Sequence, residues 1–416
     1  MNDLLERIKE LPVFDTHEHF ESYDEMHGYD WPQFLYNNSY LNVFASSLPN
    51  ELIRVMDNPN ESIEKHFKSL LEIAKLTEHT TNGRFLKKLV AICGSNKLNF
   101  DSFDQLNTYF NSRTVQSIQK KTPTIKATVV NTMGHPLYGY CRRIKDYFEK
   151  PPTLSKSIFM QLCVTPLHCI HGLSELTDLE YVYGKPISSL EDWEQAVQYI
   201  IKRSIDIGIV GFKDIYMYFR SFDIDMPDEL TARTQFFELL KGQKAGKALL
   251  DTMLYKLYAI MSETGLTVSI HTGYSITTCE SAFYMHSLIK LMKSYPKMRF
   301  DLLHLNYPKL EDYILALKSC PNAYANCTWI TTLDQAYTMN FIRQAIDILT
   351  IDKVILFGGD RHCPGEPVAC ALDITLDILA QSLSALIKQS IITFDDALYI
   401  AEHWLYENPK KLHSKQ

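Results

Sequence analysis

The chain has 416 residues, 46% of them hydrophobic and 22% charged, an ordinary balance for a globular protein with a large core. A net charge of −7 offers no basic face to nucleic acid. No apolar run approaches the ~20 residues that span a bilayer, and the opening Met1-Asn2-Asp3-Leu4-Leu5-Glu6-Arg7 has neither the basic region nor the apolar stretch of a secretory signal.

The nine cysteines are scattered and odd in number, so a disulfide framework is not expected, and Cys163 and Cys169 are too isolated for a four-thiolate zinc site. The expected compartment is the cytoplasm.

A first strand is expected over residues 12–17, in Leu11-Pro12-Val13-Phe14-Asp15-Thr16-His17-Glu18-His19. Alternate side chains of a strand share a face, so His17 and His19 point the same way and suit a divalent metal. Residues 20–120 then carry helical periodicity, as in Ser62–Leu71 and Asp104–Phe110, and read as a long helical insertion or cap. Its aromatics Tyr23, Tyr29, Trp31, Phe34, Tyr36, Tyr40 and Phe44 line a substrate entrance or build the cap's own core.

Strands and helices alternate from there. Strands are expected at 124–130, 158–164 and 323–329, and others ending at Lys213, at His271, near His304 and at Asp360. Helices are expected at 190–207, with Ser188 or Ser189 as N-cap, and at 243–263, 279–294 and 340–349. Eight such units predict a (β/α)8 TIM barrel, an α/β fold forming one domain over 1–416 with the 20–120 insertion after strand 1. Dinucleotide and P-loop glycine motifs are absent.

In such a barrel the C-terminal strand ends converge, so residues far apart in the chain can bind one ion. His17, His19 and His271 offer imidazole nitrogens and Asp360 a carboxylate, with His304 to polarise a carbonyl or hold a second metal. A bound ion brings water to hydroxide near neutral pH, and Asp360 carries the proton to the leaving group. Lys213 becomes a carbamate bridging two metals, grips a carboxylate as the ammonium, or simply snorkels. Arg220 and Arg361 are candidate clamps for an anionic substrate, with Tyr218 beside them. His168 and His171 follow strand three and His135 strand two, on the same rim; His27, His66, His79, His286, His403 and His413 are expected to be structural or solvated. Glu366 is expected to start a helix.

This constellation resembles the amidohydrolase superfamily. The strand-one His17-Glu18-His19, Gly211-Phe212-Lys213, Ile270-His271-Thr272-Gly273, Leu303-His304-Leu305 and Phe357-Gly358-Gly359-Asp360 stand in its order, and residues 397–412 resemble its closing helix. The branch is similar to that of nodulin-like proteins, uronate isomerases and aromatic-acid decarboxylases, although Gly-Gly precedes Asp360 where Gly-Ser is common. The resemblance implies ligation of one or two divalent ions, zinc or else manganese, by His17, His19, His271 and Asp360, with Lys213 and His304 as further ligands or catalytic groups. The first expectation is a metal-dependent hydrolase of an amide, lactone or ester. A decarboxylating lyase, a uronate-type isomerase and a non-catalytic binding barrel are the alternatives. The expected partners are a small-molecule substrate carrying a carboxylate and further copies of the chain in a homo-oligomer, with no nucleic acid and no membrane.

Overall fold

The computed structural model describes residues 2–20, 29–44, 47–135, 141–221, 223–274 and 285–413. Eight strands follow one another in chain order in one sheet, β1 (Val13–Glu18), β2 (Ile125–Met133), β3 (Ile158–Cys163), β4 (Gly211–Asp214), β5 (Thr267–His271), β6 (Phe300–Leu303), β7 (Ala323–Asn326) and β8 (Val354–Ile355). The pairs from β2 to β8 are parallel. This is the (β/α)8 fold expected from the alternation of short apolar runs and amphipathic helices.

The chain divides into two compact units. The first comprises residues 1–126, 328–347 and 356–405, and so holds β1, the helical block and the segment that carries Asp360. Its helices form where the sequence signals them: Ser62 caps Ile63–Thr77, and Phe103–Asn111 covers the other expected run. Trp31, Phe34 and Tyr36 are buried, with Trp31 packed on Phe67, Phe103 and Phe110, so these aromatics build the block's own core. Tyr23 and His27 lie outside the described residues, as does the Phe44 side chain.

Glu366 begins the helix Glu366–Lys388 as expected. Its carboxylate is fully buried, taking a hydrogen bond from Tyr109 at 2.6 Å and an ion pair from Arg113 at 2.8 Å. That helix corrects one expectation. It is long and apolar enough to cross a membrane, with a mean hydropathy of 1.5 over its most apolar window. Much of it is buried inside the unit, as the central helix of a core would be.

The second unit, residues 127–327, 348–355 and 406–416, contains β2 to β8. Val129, Val130, Leu162, Phe212, Val268, Ile270 and Leu302 are buried, the pattern of strands covered on both faces. The helix Leu190–Asp206 starts at Ser189, whose side chain accepts from the Asp192 N–H. Helix starts differ from expectation at Lys247 and Gln335, and the helix near 279 is described only from Met285.

Strand eight is the main correction. Only Val354 and Ile355 have strand form, because the Leu356 N–H bonds to the Trp404 carbonyl and leaves the ladder. Strand seven likewise stops at Asn326.

Candidate metal centre

His17, His19 and Asp360 come together in the first unit, and their ligand atoms all lie within 4.8 Å of one another. All three are buried. Nε2 of His19 is 2.9 Å and Nε2 of His17 3.5 Å from the same oxygen, Oδ1 of Asp360. Two borderline-soft nitrogens and one hard oxygen facing one small space are the donor set of a zinc-class ion, so these residues fit the group that the resemblance implies.

Backbone pairing sets this geometry. The Asp360 N–H donates to His17 O at 2.8 Å, and the His19 N–H donates to Arg361 O at 2.9 Å, which locks the end of β1 against the 358–361 segment. Asp360 adopts a left-handed conformation with φ of 56°, tolerated by aspartate better than by most residues. The Tyr40 hydroxyl donates to its carbonyl. Two glycines let the segment approach. A Cβ at 358 would strike the Thr328 hydroxyl, and one at 359 the Glu18 carboxyl. The Gly-Gly departure from Gly-Ser thus matches the close approach of Glu18.

Beneath the histidines sits a carboxyl pair that no sequence motif announces. Asp15 accepts from the Gly359 N–H at 3.2 Å and Glu18 from the Arg361 N–H at 2.7 Å. Burial pushes the Asp15 carboxyl up to about 7. Burial likewise raises Glu18, and the charge and hydrogen bond of Asp15 raise it further. Two buried carboxyls in side-chain contact raise each other's affinity for a proton. His362 adds a ring stacked on His19, with centroids 5.1 Å apart.

Arg361, one of the two expected clamps, is held by protein contacts. Its guanidinium, 1% exposed, donates to Asn38 O at 2.9 Å and to the Thr332 hydroxyl at 2.7 Å, and lies over the rings of Tyr40 and Phe85. These contacts tie the helical block to the 358–361 segment.

The second unit holds the other expected residues, and none of them belongs to the three-residue group. His271 ends β5, where its register partner is Leu303, and its ring lies 4.1 Å from that of His304, centroid to centroid. Nε2 of His271 donates to Tyr274 O at 3.0 Å and is 3.4 Å from the Tyr218 hydroxyl. His304 itself has a positive φ of 69°, directly after β6. Lys213 is buried near the end of β4, in register with Ser269. Arg220, the other expected clamp, pairs with the buried Asp251. His168 is buried against Asp214, while His66 bonds Asp30 and His413 lies 3.6 Å from Asp301, structural as expected. None of the eight described cysteines is in a disulfide.

No curated protein matches the sequence. By fold, the chain is similar to the uronate isomerase of Thermotoga maritima, with a TM-score of 0.77 at 12% identity over 99% of this chain and 96% of that one. It is similar to the uronate isomerase of Bacillus halodurans C-125, with a TM-score of 0.73 at 13% identity over 100% and 96%. A Lactobacillus casei ATCC 334 protein assigned as a metal-dependent hydrolase gives 0.63 at 15% over 99% and 97%. At such identities the likeness speaks for the fold. From residue 182 to residue 412, more than half its length, the chain matches the family model described as Amidohydrolase, and it belongs to that family.

Proposed function

We propose that the protein is a metal-dependent hydrolase of an amide, lactone or ester, working at His17, His19 and Asp360. The observation that carries the reading is the shared aim of two imidazole Nε2 atoms at one oxygen of Asp360, at 3.5 and 2.9 Å. When bound, a zinc or manganese ion supplies Lewis-acid activation of water and of the substrate carbonyl. His17 and His19 serve as neutral donors through Nε2. Asp360 takes the proton of the attacking water on Oδ2, the oxygen outside those two contacts, and returns it to the leaving group. Tyr40 and the two backbone bonds to β1 keep that carboxylate in place. His271, Lys213 and His304, all in the second unit, are carried as separate candidates for ligand or base. Counting metal in their alanine variants decides each one's place. We place the protein in the cytoplasm, a reading in keeping with the lack of disulfides among the eight described cysteines.

A second reading, isomerisation of a sugar acid with Asp360 moving a proton between adjacent carbons, is favoured by the end-to-end likeness to two uronate isomerases. One panel separates the two. Metal-loaded protein is incubated with lactones, esters, amides and uronates, and products are weighed by mass spectrometry. Gain of one water supports hydrolysis. A product of unchanged mass with altered connectivity supports isomerisation and overturns hydrolysis.

A further inference from the structure

A cysteine, a histidine and an aspartate line up in the second unit. Sγ of Cys169 is 3.7 Å from Nδ1 of His168, and Nε2 of the same ring is 3.1 Å from Oδ2 of Asp214. Asp214 is the anchor. It accepts from the Thr165 hydroxyl at 2.8 Å, the Tyr258 hydroxyl at 3.0 Å and the Tyr216 N–H at 3.1 Å, so its charge is satisfied by fixed donors. His168 and Asp214 are fully buried and Cys169 is 6% exposed. Cys169 lines a cavity of about 280 Å³ together with Cys141, Thr165, His171, Glu175 and Phe219. Into that space the second unit also places His171, whose buried Nε2 has no hydrogen-bond partner.

We propose that Cys169 is an activated nucleophile, with His168 as its proton partner and Asp214 holding the ring, and that it captures an α,β-unsaturated carbonyl compound in this cavity. The sulfur bonds to the β-carbon, the alkene pair shifts toward the carbonyl, and the His168 proton passes to the α-carbon. A thioether and a neutral imidazole result, with atoms and charge balanced.

Electrostatics agree with the geometry. Burial alone would raise the Cys169 thiol, but the charge and hydrogen bond of His168, with help from His171, bring it below its ordinary value. For His168 burial works downward, and Cys169 and Asp214 outweigh it. Six other cysteines, at 93, 141, 163, 320, 327 and 370, are pushed up by burial. The groups around the sulfur are His168, His171 and Asp214 beside it, the Tyr216 phenol, Cys141 across the cavity, and Glu175 and Asp178 from the helix Leu173–Tyr183. Asp178 is paired with Arg142, which leaves Glu175 to favour a neutral electrophile over an anionic one.

The test uses the full chain as purified, with N-ethylmaleimide, iodoacetamide and iodoacetate as probes and peptide mass spectrometry as readout. At neutral pH, Cys169 should be labelled about tenfold faster than any other cysteine, because reaction rate follows the thiolate fraction. Iodoacetamide should outpace iodoacetate, and the midpoint of the rate–pH profile should lie below that of a free thiol. Cys169→Ser should remove the fast label, and His168→Gln should move the midpoint up to the free-thiol range. Labelling of Cys169 no faster than the rest, or a fast label surviving in Cys169→Ser, would overturn the proposal. Where His168→Gln fails to fold, the pH midpoint of the unsubstituted chain decides alone: at or above a free thiol's, the proposal fails.

Discussion

Gly359 lies so close to Glu18 that a side chain at 359 would overlap Oε1 of the Glu18 carboxyl. That carboxyl cannot swing aside, since it accepts from the Arg361 N–H and contacts Asp15 in a fully buried place. Gly359→Ser should therefore cost roughly 1–3 kcal/mol through overpacking. It should also displace Asp360, the next residue, and so reduce bound metal. Thermal unfolding and elemental analysis check both, and a variant with native midpoint and native metal content would show that Glu18 yields.

Asp360→Asn tests the chemistry without the strain. Asparagine tolerates the left-handed backbone at this position and keeps a side chain of the same shape, so the fold should survive. The amide neither takes a proton nor carries the charge that balances a cation. Turnover should fall by at least about a hundredfold, the range set by loss of a general base, while circular dichroism stays native. Near-normal turnover would remove Asp360 from the proton-carrying role.

Metal removal supplies an independent check. A ligand that binds only the folded chain stabilises it by about 2.7 kcal/mol at a hundredfold excess over its dissociation constant. Dialysis against a chelator should lower the unfolding midpoint by several degrees, and zinc should restore it. His19→Ala should abolish that difference, because Nε2 of His19 makes the shorter of the two contacts to Asp360. A chelator-insensitive midpoint in the unsubstituted chain would argue against an ion at this place.

The fold and the centre of the site differ in how legible they were. The strand end is readable at His271 and, to within one residue, at His17 and Lys213, because each closes a short apolar run whose period and flanks are local properties. Strand eight was overread, since Leu356 and Phe357 look like strand residues and only the tertiary bond to Trp404 removes Leu356 from the ladder. The contacts of the two arginines are illegible in the sequence for a similar reason. The partners of Arg361 come from Asn38 and Thr332, and that of Arg220 from Asp251, none of which a motif places nearby. The Asp15–Glu18 pair sits inside the best motif of the chain, but only burial reveals that both carboxyls are pushed up. His168 was visible as a residue after strand three, whereas its pairing with Asp214 required the fold.

Arg361 allows the two roles of an arginine to be told apart. Its guanidinium bonds Asn38 O and the Thr332 hydroxyl and rests on two aromatic rings, so Arg361→Met leaves a buried carbonyl and hydroxyl short of donors. Loss of such a buried network should cost about 3 kcal/mol, read as a lower denaturant midpoint. Because this side chain faces the helical block rather than a ligand, KM should change alike for an anionic substrate and for its neutral analogue. A rise in KM confined to the anionic substrate, with stability intact, would return Arg361 to the role of a substrate clamp.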